Sequence, residues 1–372
     1  TRPSHRSMLS GVYPASHAGL ERKALADELW KAGYTTVALT AGGQVDARFG
    51  FDEGFERYEV DMKWVREPER ALAMIDALPR RPFFLFLHTY ETHDPYEDTR
   101  FLAAGECPEL GGKFTAQYFK ANRKRITPEQ RSCVGALYDG DIAFTDEKIG
   151  ALFARLEAAG RLDDTLVVVT SDHGEQFWEH GGWRHGNSMY EHQLRVPLVV
   201  HLPQPLRQRF AAGAPGRLAG AVIDEPVALV DLAPSLYELL EIPATHAMHG
   251  RSFVPLLRGV AGGRREILSE NTNSNDLEWK SLRTERFKFI GRYPKGKRRP
   301  APPRPFLLFD LRRDPAEQQN VAATYPDAVR ELAQRLAAIT AGELGDLDED
   351  NPKNLDREFR DELRALGYLG GD

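Results

Sequence analysis

The sequence predicts an α/β fold, a mostly parallel central sheet flanked by helices, with a small carboxy-terminal antiparallel sheet and helix. Three observations carry this. Over the first two thirds of the chain, short apolar runs alternate with amphipathic segments, the pattern of strands joined by crossover helices. From Glu266 that alternation gives way to closely spaced short strands, the mark of an appended antiparallel sheet. Two of the apolar runs end in turns that carry histidine, and open α/β sheets bind ligands at the carboxyl ends of strands. The organisation implied is an α/β domain over 1–262, a small α+β subdomain over 263–345 and a tail over 346–372.

Thr1 to Gly11 (TRPSHRSMLSG) has the marks of a short helix, with Thr1 as cap, Pro3 in the first turn and Gly11 as terminator. A hydroxyl there lies among unpaired N–H groups at the positive end of the helix dipole, suited to an anion bound to or formed on Thr1. A plain N-cap threonine accounts equally for the spacing. Glu21–Ala32 is amphipathic and Gly33 stops it, so that helix feeds the β-branched strand Tyr34–Thr40. Gly42–Tyr58, rich in Gly and aromatics, reads as a long loop. Pro68–Leu78 reads as a helix, and Pro82–His88 (PFFLFLH) as a strand whose following loop places His93 before Asp94-Pro95. His93 there is either a site residue or a brace for its own turn. Residues 97–127 read as irregular, then Glu129–Ala159 as a long amphipathic helix ended by Gly160.

The stretch from Thr165 to Pro203 organises the rest. Leu166–Val169 is a buried strand, followed at once by Ser171, Asp172, His173 and Gly174. A carboxylate beside an imidazole at a strand end suits a site, although such a pair also serves simply to start a turn or helix. Twelve residues further on, His185 stands in a polar, Gly-flanked loop with no core for its ring to fill. Val196–Leu202 is the next strand. His180 and His192, each preceded by Glu, read as structural loop residues. After a surface excursion to Ile223, Val227–Leu240 gives a strand edge and a helix. The short strands are Glu266–Glu270, Lys280–Arg283, Phe287–Ile290 and Phe306–Leu311, with Arg283 and Lys288 taken as solvated. Lys295–Pro305 is a basic, Pro-rich hairpin loop, and Ala328–Ile339 a helix packed on the small sheet. Asp346–Asp350 is acidic and Leu363–Leu369 apolar, a tail expected to dock.

Composition narrows the partners. The 372 residues are 41% hydrophobic and 28% charged, a globular balance. A net charge of −6 supplies no global basic field for nucleic acid. No apolar run is long enough to form a transmembrane helix. Cys107 and Cys133 lack metal or redox spacing; they read as thiols, with a disulfide left open.

These motifs, in this order, resemble the sulfatase family of the alkaline phosphatase superfamily. The family signature Cys-x-Pro-Ser-Arg, then Gly, Tyr-Pro and His-Gly, is met by Thr1-Arg2-Pro3-Ser4-His5, Gly11, Tyr13-Pro14 and His17-Ala18-Gly19. Its later segments resemble Ala32–Thr35, Pro82–His93, Ser171–Gly174, and His185 ahead of Arg195-Val196-Pro197. Its carboxy-terminal signature resembles Phe287–Ile290, Leu308–Leu311 and Asp314-Pro315 with Glu317 and Asn320. The resemblance implies an alkaline-phosphatase-like fold and a hydrolase acting on sulfate or phosphate esters of small molecules, glycans or lipids.

Three departures shape that expectation. Thr1 stands where sulfatases carry the Cys or Ser oxidised to formylglycine, so the resemblance is to a Thr-nucleophile variant. His5 replaces the signature arginine, with Arg6 adjacent. The family's first strand, which ends in acidic metal ligands, would precede Thr1, so the sequence reads as truncated at its amino terminus. Asp172 and His173 are then the implied metal ligands, with Thr1 Oγ1 as a third, around one divalent ion. An imidazole among oxygen donors favours zinc or manganese, with calcium possible. His93 and His185 would hold non-bridging oxygens and protonate the leaving oxygen. Two other functions fit the same residues, a phosphoryl-group transferase of the phosphoethanolamine type and a non-catalytic binding protein.

Overall fold

The computed structural model describes residues 1–19, 24–61, 63–79, 81–211, 220–260, 266–271, 277–294 and 306–340. The expected loop at Lys295–Pro305 and the tail over 346–372 lie outside these, as does the start of the expected helix at Glu21. In chain order the main elements begin with α1 (Arg2–Ser10), α2 (Leu25–Lys31), β1 (Thr35–Thr40), β2 (Arg57–Val60), α3 (Glu69–Ala77) and β3 (Phe83–Leu87). Next come α4 (Ala116–Asn122), α5 (Pro128–Ala158), β4 (Val167–Thr170), α6 (Glu191–Leu194), β5 (Leu198–His201), α7 (Gln204–Ala211), α8 (Leu232–Leu240) and α9 (Val254–Leu257). Strands β6 (Ile267–Asn271), β7 (Leu277–Arg283), β8 (Phe287–Pro294) and β9 (Leu307–Asp310) lead to α10 (Pro326–Thr340). The described residues form two compact units, one of Thr1–Leu25 with the chain from Leu166 onward, the other of Ala26–Thr165.

The Ala26–Thr165 unit holds a parallel sheet in the order β2-β1-β3. Val37 and Leu39, two apart on β1, share one face and pack with Ala71, Met74 and Ile75 of α3 and Leu152 and Leu156 of α5. Helix α5 starts where its sequence says it should. Thr127 accepts from Gln130 N while the Gln130 side chain accepts from Thr127 N, a capping box with Pro128 in the first turn. Three features depart from the sequence reading. Arg57–Val60, within and beyond the expected loop, is a strand paired with β1; its polar residues serve a partly exposed edge and so show no apolar signal. Ala116–Asn122, within the stretch expected to be irregular, is helix α4, capped by Thr115, and Cys107 and Cys133 are joined in a disulfide that ties the chain ahead of α4 to α5.

In the other unit β4 pairs antiparallel with β5, Val167 facing His201. The four-stranded antiparallel sheet runs in sequence order, β6-β7-β8-β9, as the switch to short strands predicts. Alternation along its strands gives it two apolar faces. Leu268, Leu282, Phe289 and Leu308 pack against Leu332 and Leu336 of α10. Ile290 and Phe309 pack against Met189, just ahead of α6. No helix among the described residues is long and apolar enough to cross a membrane.

Lys288 is not solvated: it has no exposed surface, and its Nζ lies 2.8 Å from Glu191 Oε1 and 2.9 Å from Glu317 Oε1. Glu317 also accepts the Glu191 backbone N–H at 2.6 Å, so this cluster fastens the start of α6 to the sheet. Arg283 Nε, 3.4 Å from Glu191 Oε2, joins it. Removing the ammonium would take the cation from the buried Glu317 carboxylate and leave Glu191 with Arg283 alone. Lys288→Met is therefore expected to cost about 3–5 kcal/mol, read from urea unfolding midpoints at unchanged m. A loss under about 1 kcal/mol would show that the carboxylates find other partners.

Candidate functional site

Thr1 sits at the N-cap position of α1, yet its hydroxyl makes no capping bond. Oγ1 lies instead 3.1 Å from His173 Nε2, joining residues 172 positions apart in sequence. His173 is placed by the turn that follows β4, whose carboxyl end is Thr170. Ser171 Oγ donates to His173 O at 2.7 Å, and the next residue must be glycine for a steric reason. A Cβ on Gly174 would lie 2.2 Å from the His192 carbonyl oxygen, a backbone atom that cannot step aside. Gly174 N donates to Gln193 O at 2.8 Å, seating the turn on α6.

His173 Nδ1 lies 2.9 Å from the Gly174 carbonyl, which can only accept, so Nδ1 carries the proton. Nε2 is then the lone-pair nitrogen, facing Thr1 Oγ1 and lying 3.4 Å from Asp172 Oδ2. Burial pushes this imidazole down to about 3, against the pull of Asp172, so it is neutral at neutral pH. His5, buried on α1, adds Nδ1 at 3.1 Å from Thr1 O and 3.6 Å from Asp172 Oδ2. Burial holds the His5 imidazole below its usual range.

His185 reaches the same cluster. Its ring lies over that of His173, with centroids 4.1 Å apart. Its Nδ1 is 3.1 and 3.2 Å from the two carboxylate oxygens of Glu175. The loop backbone is clamped by one buried amide: Gln193 Oε1 accepts from Gly186 N at 3.1 Å, while Nε2 donates to Arg184 O and Asn187 Oδ1.

Thr1, Asp172, His173 and His185 are thus brought together in one unit. His93 belongs to the Ala26–Thr165 unit, where it is buried, with Nδ1 2.8 Å from Asp94 O and its ring edge-on to Tyr90. His180 and His192 stack with Tyr190, the His180 and Tyr190 centroids 3.6 Å apart, and His192 lies on α6 and not in the expected loop. Sequence reasoning names His5 only as the replacement of the signature arginine, without a site role, and passes over Glu175 and Gln193, which carry no local signal.

Among the described residues no three His, Cys, Asp or Glu side chains gather as a metal-holding group. The donors present nevertheless suit a divalent ion in kind. Asp172 offers carboxylate oxygen, Thr1 a hydroxyl, and His173 a neutral Nε2 whose tautomer is set by a backbone carbonyl, the usual outer-shell support of a ligating histidine.

The family model described as Sulfatase matches residues 1–242, more than half of the chain. The chain belongs to the sulfatase family. A second description, N-sulphoglucosamine sulphohydrolase, C-terminal, matches residues 178–342 of the chain. Among curated relatives, Arylsulfatase K of Danio rerio is 31% identical over 221 residues, 58% of this chain and 38% of that protein. Arylsulfatase K of Homo sapiens is 29% identical over 238 residues, 61% of this chain and 40% of that protein. The chain thus aligns with about 40% of the length of these relatives. Its fold is that of the phosphonate monoester hydrolase of Agrobacterium radiobacter, with a TM-score of 0.68 and 20% identity, covering 92% of this chain and 87% of that one. It also matches a structure solved with its substrate D-glucosamine-2-N,6-O-disulfate, at a TM-score of 0.64 and 18% identity, covering 95% and 90%. Sulfatase family members generally bind a divalent metal ion.

Proposed function

We propose that this sulfatase family member is a metal-dependent hydrolase of phosphate or sulfate esters that uses Thr1 as its nucleophile. One observation carries the reading: the Thr1 hydroxyl leaves the capping position of its own helix and turns to His173 Nε2, 3.1 Å away, beside Asp172. An unmodified hydroxyl is a weak nucleophile and needs help to lose its proton. Asp172 and His173 would hold one divalent ion, zinc or manganese by donor type, which when bound lowers the pKa of a neighbouring hydroxyl and offsets charge on the transferred group.

His185 Nε2 takes the Thr1 proton as Oγ1 bonds to phosphorus or sulfur, and passes that proton to the ester oxygen as it leaves. Water then releases the acid from Thr1. The amino-terminal dipole of α1 stabilises the anion formed at Thr1. Relatives named arylsulfatase and phosphonate monoester hydrolase support ester hydrolysis as the reaction class. A glycan ester is the favoured substrate class, in keeping with the matched description N-sulphoglucosamine sulphohydrolase and the aminosugar disulfate bound by a structural neighbour.

The test is a panel of 4-nitrophenyl phosphate, bis(4-nitrophenyl) phosphate and 4-nitrophenyl sulfate, each with zinc, manganese or calcium. A phosphate ester is expected to turn over faster than the sulfate. Sulfatase activity with no phosphoesterase activity would overturn the unmodified-threonine mechanism.

A further inference from the structure

The Glu175–His185 pair is built more tightly than turn bracing requires. Both side chains are nearly buried, 6% and 11% exposed, so water competes poorly for either. His185 Nδ1 lies within hydrogen-bond distance of both carboxylate oxygens. A carboxylate whose two oxygens both face one ring nitrogen accepts from it, which places the proton on Nδ1 and the lone pair on Nε2. Gln193 fixes the backbone on either side of the same residue, at Arg184 and Gly186. The ring's remaining freedom, rotation about its own bonds, is what the Glu175 contact removes.

We infer that Glu175 is a positioning residue, holding His185 in the Nδ1–H tautomer and aiming Nε2 at the ester. The inference rests on the proposed role of His185. Glu175 itself touches no reacting atom; it acts through His185, as the carboxylate behind a histidine does in hydrolytic triads. A purely structural Glu175 would satisfy the same bond without affecting turnover, and the two cases differ in measurable ways.

The experiment uses the full-length protein, histidine-selectively 15N-labelled, with 4-nitrophenyl phosphate and 4-nitrophenyl sulfate as probes. Long-range 1H–15N correlation should show the His185 ring of the wild type as the Nδ1–H tautomer, its signals assigned by their loss in His185→Ala. Glu175→Ala should shift that ring toward Nε2–H and lower kcat by roughly 10–100-fold, with KM moving less than about threefold. Glu175→Gln, whose amide oxygen still accepts, should keep the tautomer and restore kcat to within about tenfold of wild type. In His185→Ala, adding Glu175→Ala should cost nothing further.

An Nε2–H tautomer in the wild type overturns the inference even if Glu175→Ala fails to fold. Unchanged kcat and tautomer in Glu175→Ala, beside an impaired His185→Ala, overturns it alone. Wild-type kcat in His185→Ala overturns the proposed role of His185 and this inference with it.

Discussion

Thr1→Ala is expected to lower kcat on the preferred ester by ~10⁴-fold or more, because it removes the atom proposed to form the covalent bond. KM should change little by comparison, since the hydroxyl contributes mainly in the transition state. Thr1→Ser should retain measurable turnover, as the hydroxyl survives and only a methyl group is lost. Rapid quenching of the wild type with a phosphate ester, followed by mass spectrometry, should find a phosphoryl adduct on the peptide bearing Thr1. The same experiment separates the two ester classes. A threonine hydroxyl cannot form the geminal diol through which formylglycine sheds sulfate, whereas water can attack phosphorus in a phosphothreonine. A Thr1→Ala protein with undiminished kcat would remove Thr1 from the mechanism.

Asp172→Ala and His173→Ala should each lower turnover by about a thousandfold or more, equivalent to about 4 kcal/mol of lost transition-state stabilisation. Each should also lower the metal content of the purified protein, measured by elemental analysis, which a substitution that merely loosened the turn would leave in place. Full activity in a metal-free preparation of the wild type would rule out metal dependence altogether. His173 is the more informative of the two. His173→Gln keeps a polar side chain of similar reach but no imidazole Nε2, so metal retention without turnover would point to proton transfer at Thr1 Oγ1 as its main task.

Much of this was legible in the sequence because the signals are local. A valine run ending in Ser171-Asp172-His173-Gly174 marks its own strand and turn, and the amphipathic pattern from Glu129 with Gly160 beyond it marks α5. The small sheet was legible too, from strand spacing alone. What escaped depends on partners distant in sequence. Lys288 reads as a solvated strand residue until Glu191, 97 positions earlier, is seen beside it. The antiparallel pairing of β4 with β5 leaves no trace in either strand's composition, since pairing direction is set by how the intervening loop returns. Glu175 and His185 lie ten positions apart in an irregular loop, where no periodicity links them. The spacing around Thr1 suits a cap and a nucleophile alike; what the spacing does not carry is that the hydroxyl makes no capping bond and faces His173 instead.

The bridge between Cys107 and Cys133, 26 positions apart, has a practical consequence at the bench. Closing a loop of that length restricts the unfolded chain by an amount worth roughly 3–4 kcal/mol, a sizeable share of the total stability of an ordinary domain. A host that keeps its cytosol reducing would make the protein without that restraint. Dithiothreitol in a storage buffer would undo it afterwards, and as a dithiol it would also compete for zinc. An inactive preparation obtained in either way would report the redox history of the sample and not the chemistry of Thr1. Expression in an oxidising compartment and assays in thiol-free buffer are the conditions under which the substitutions above can be read.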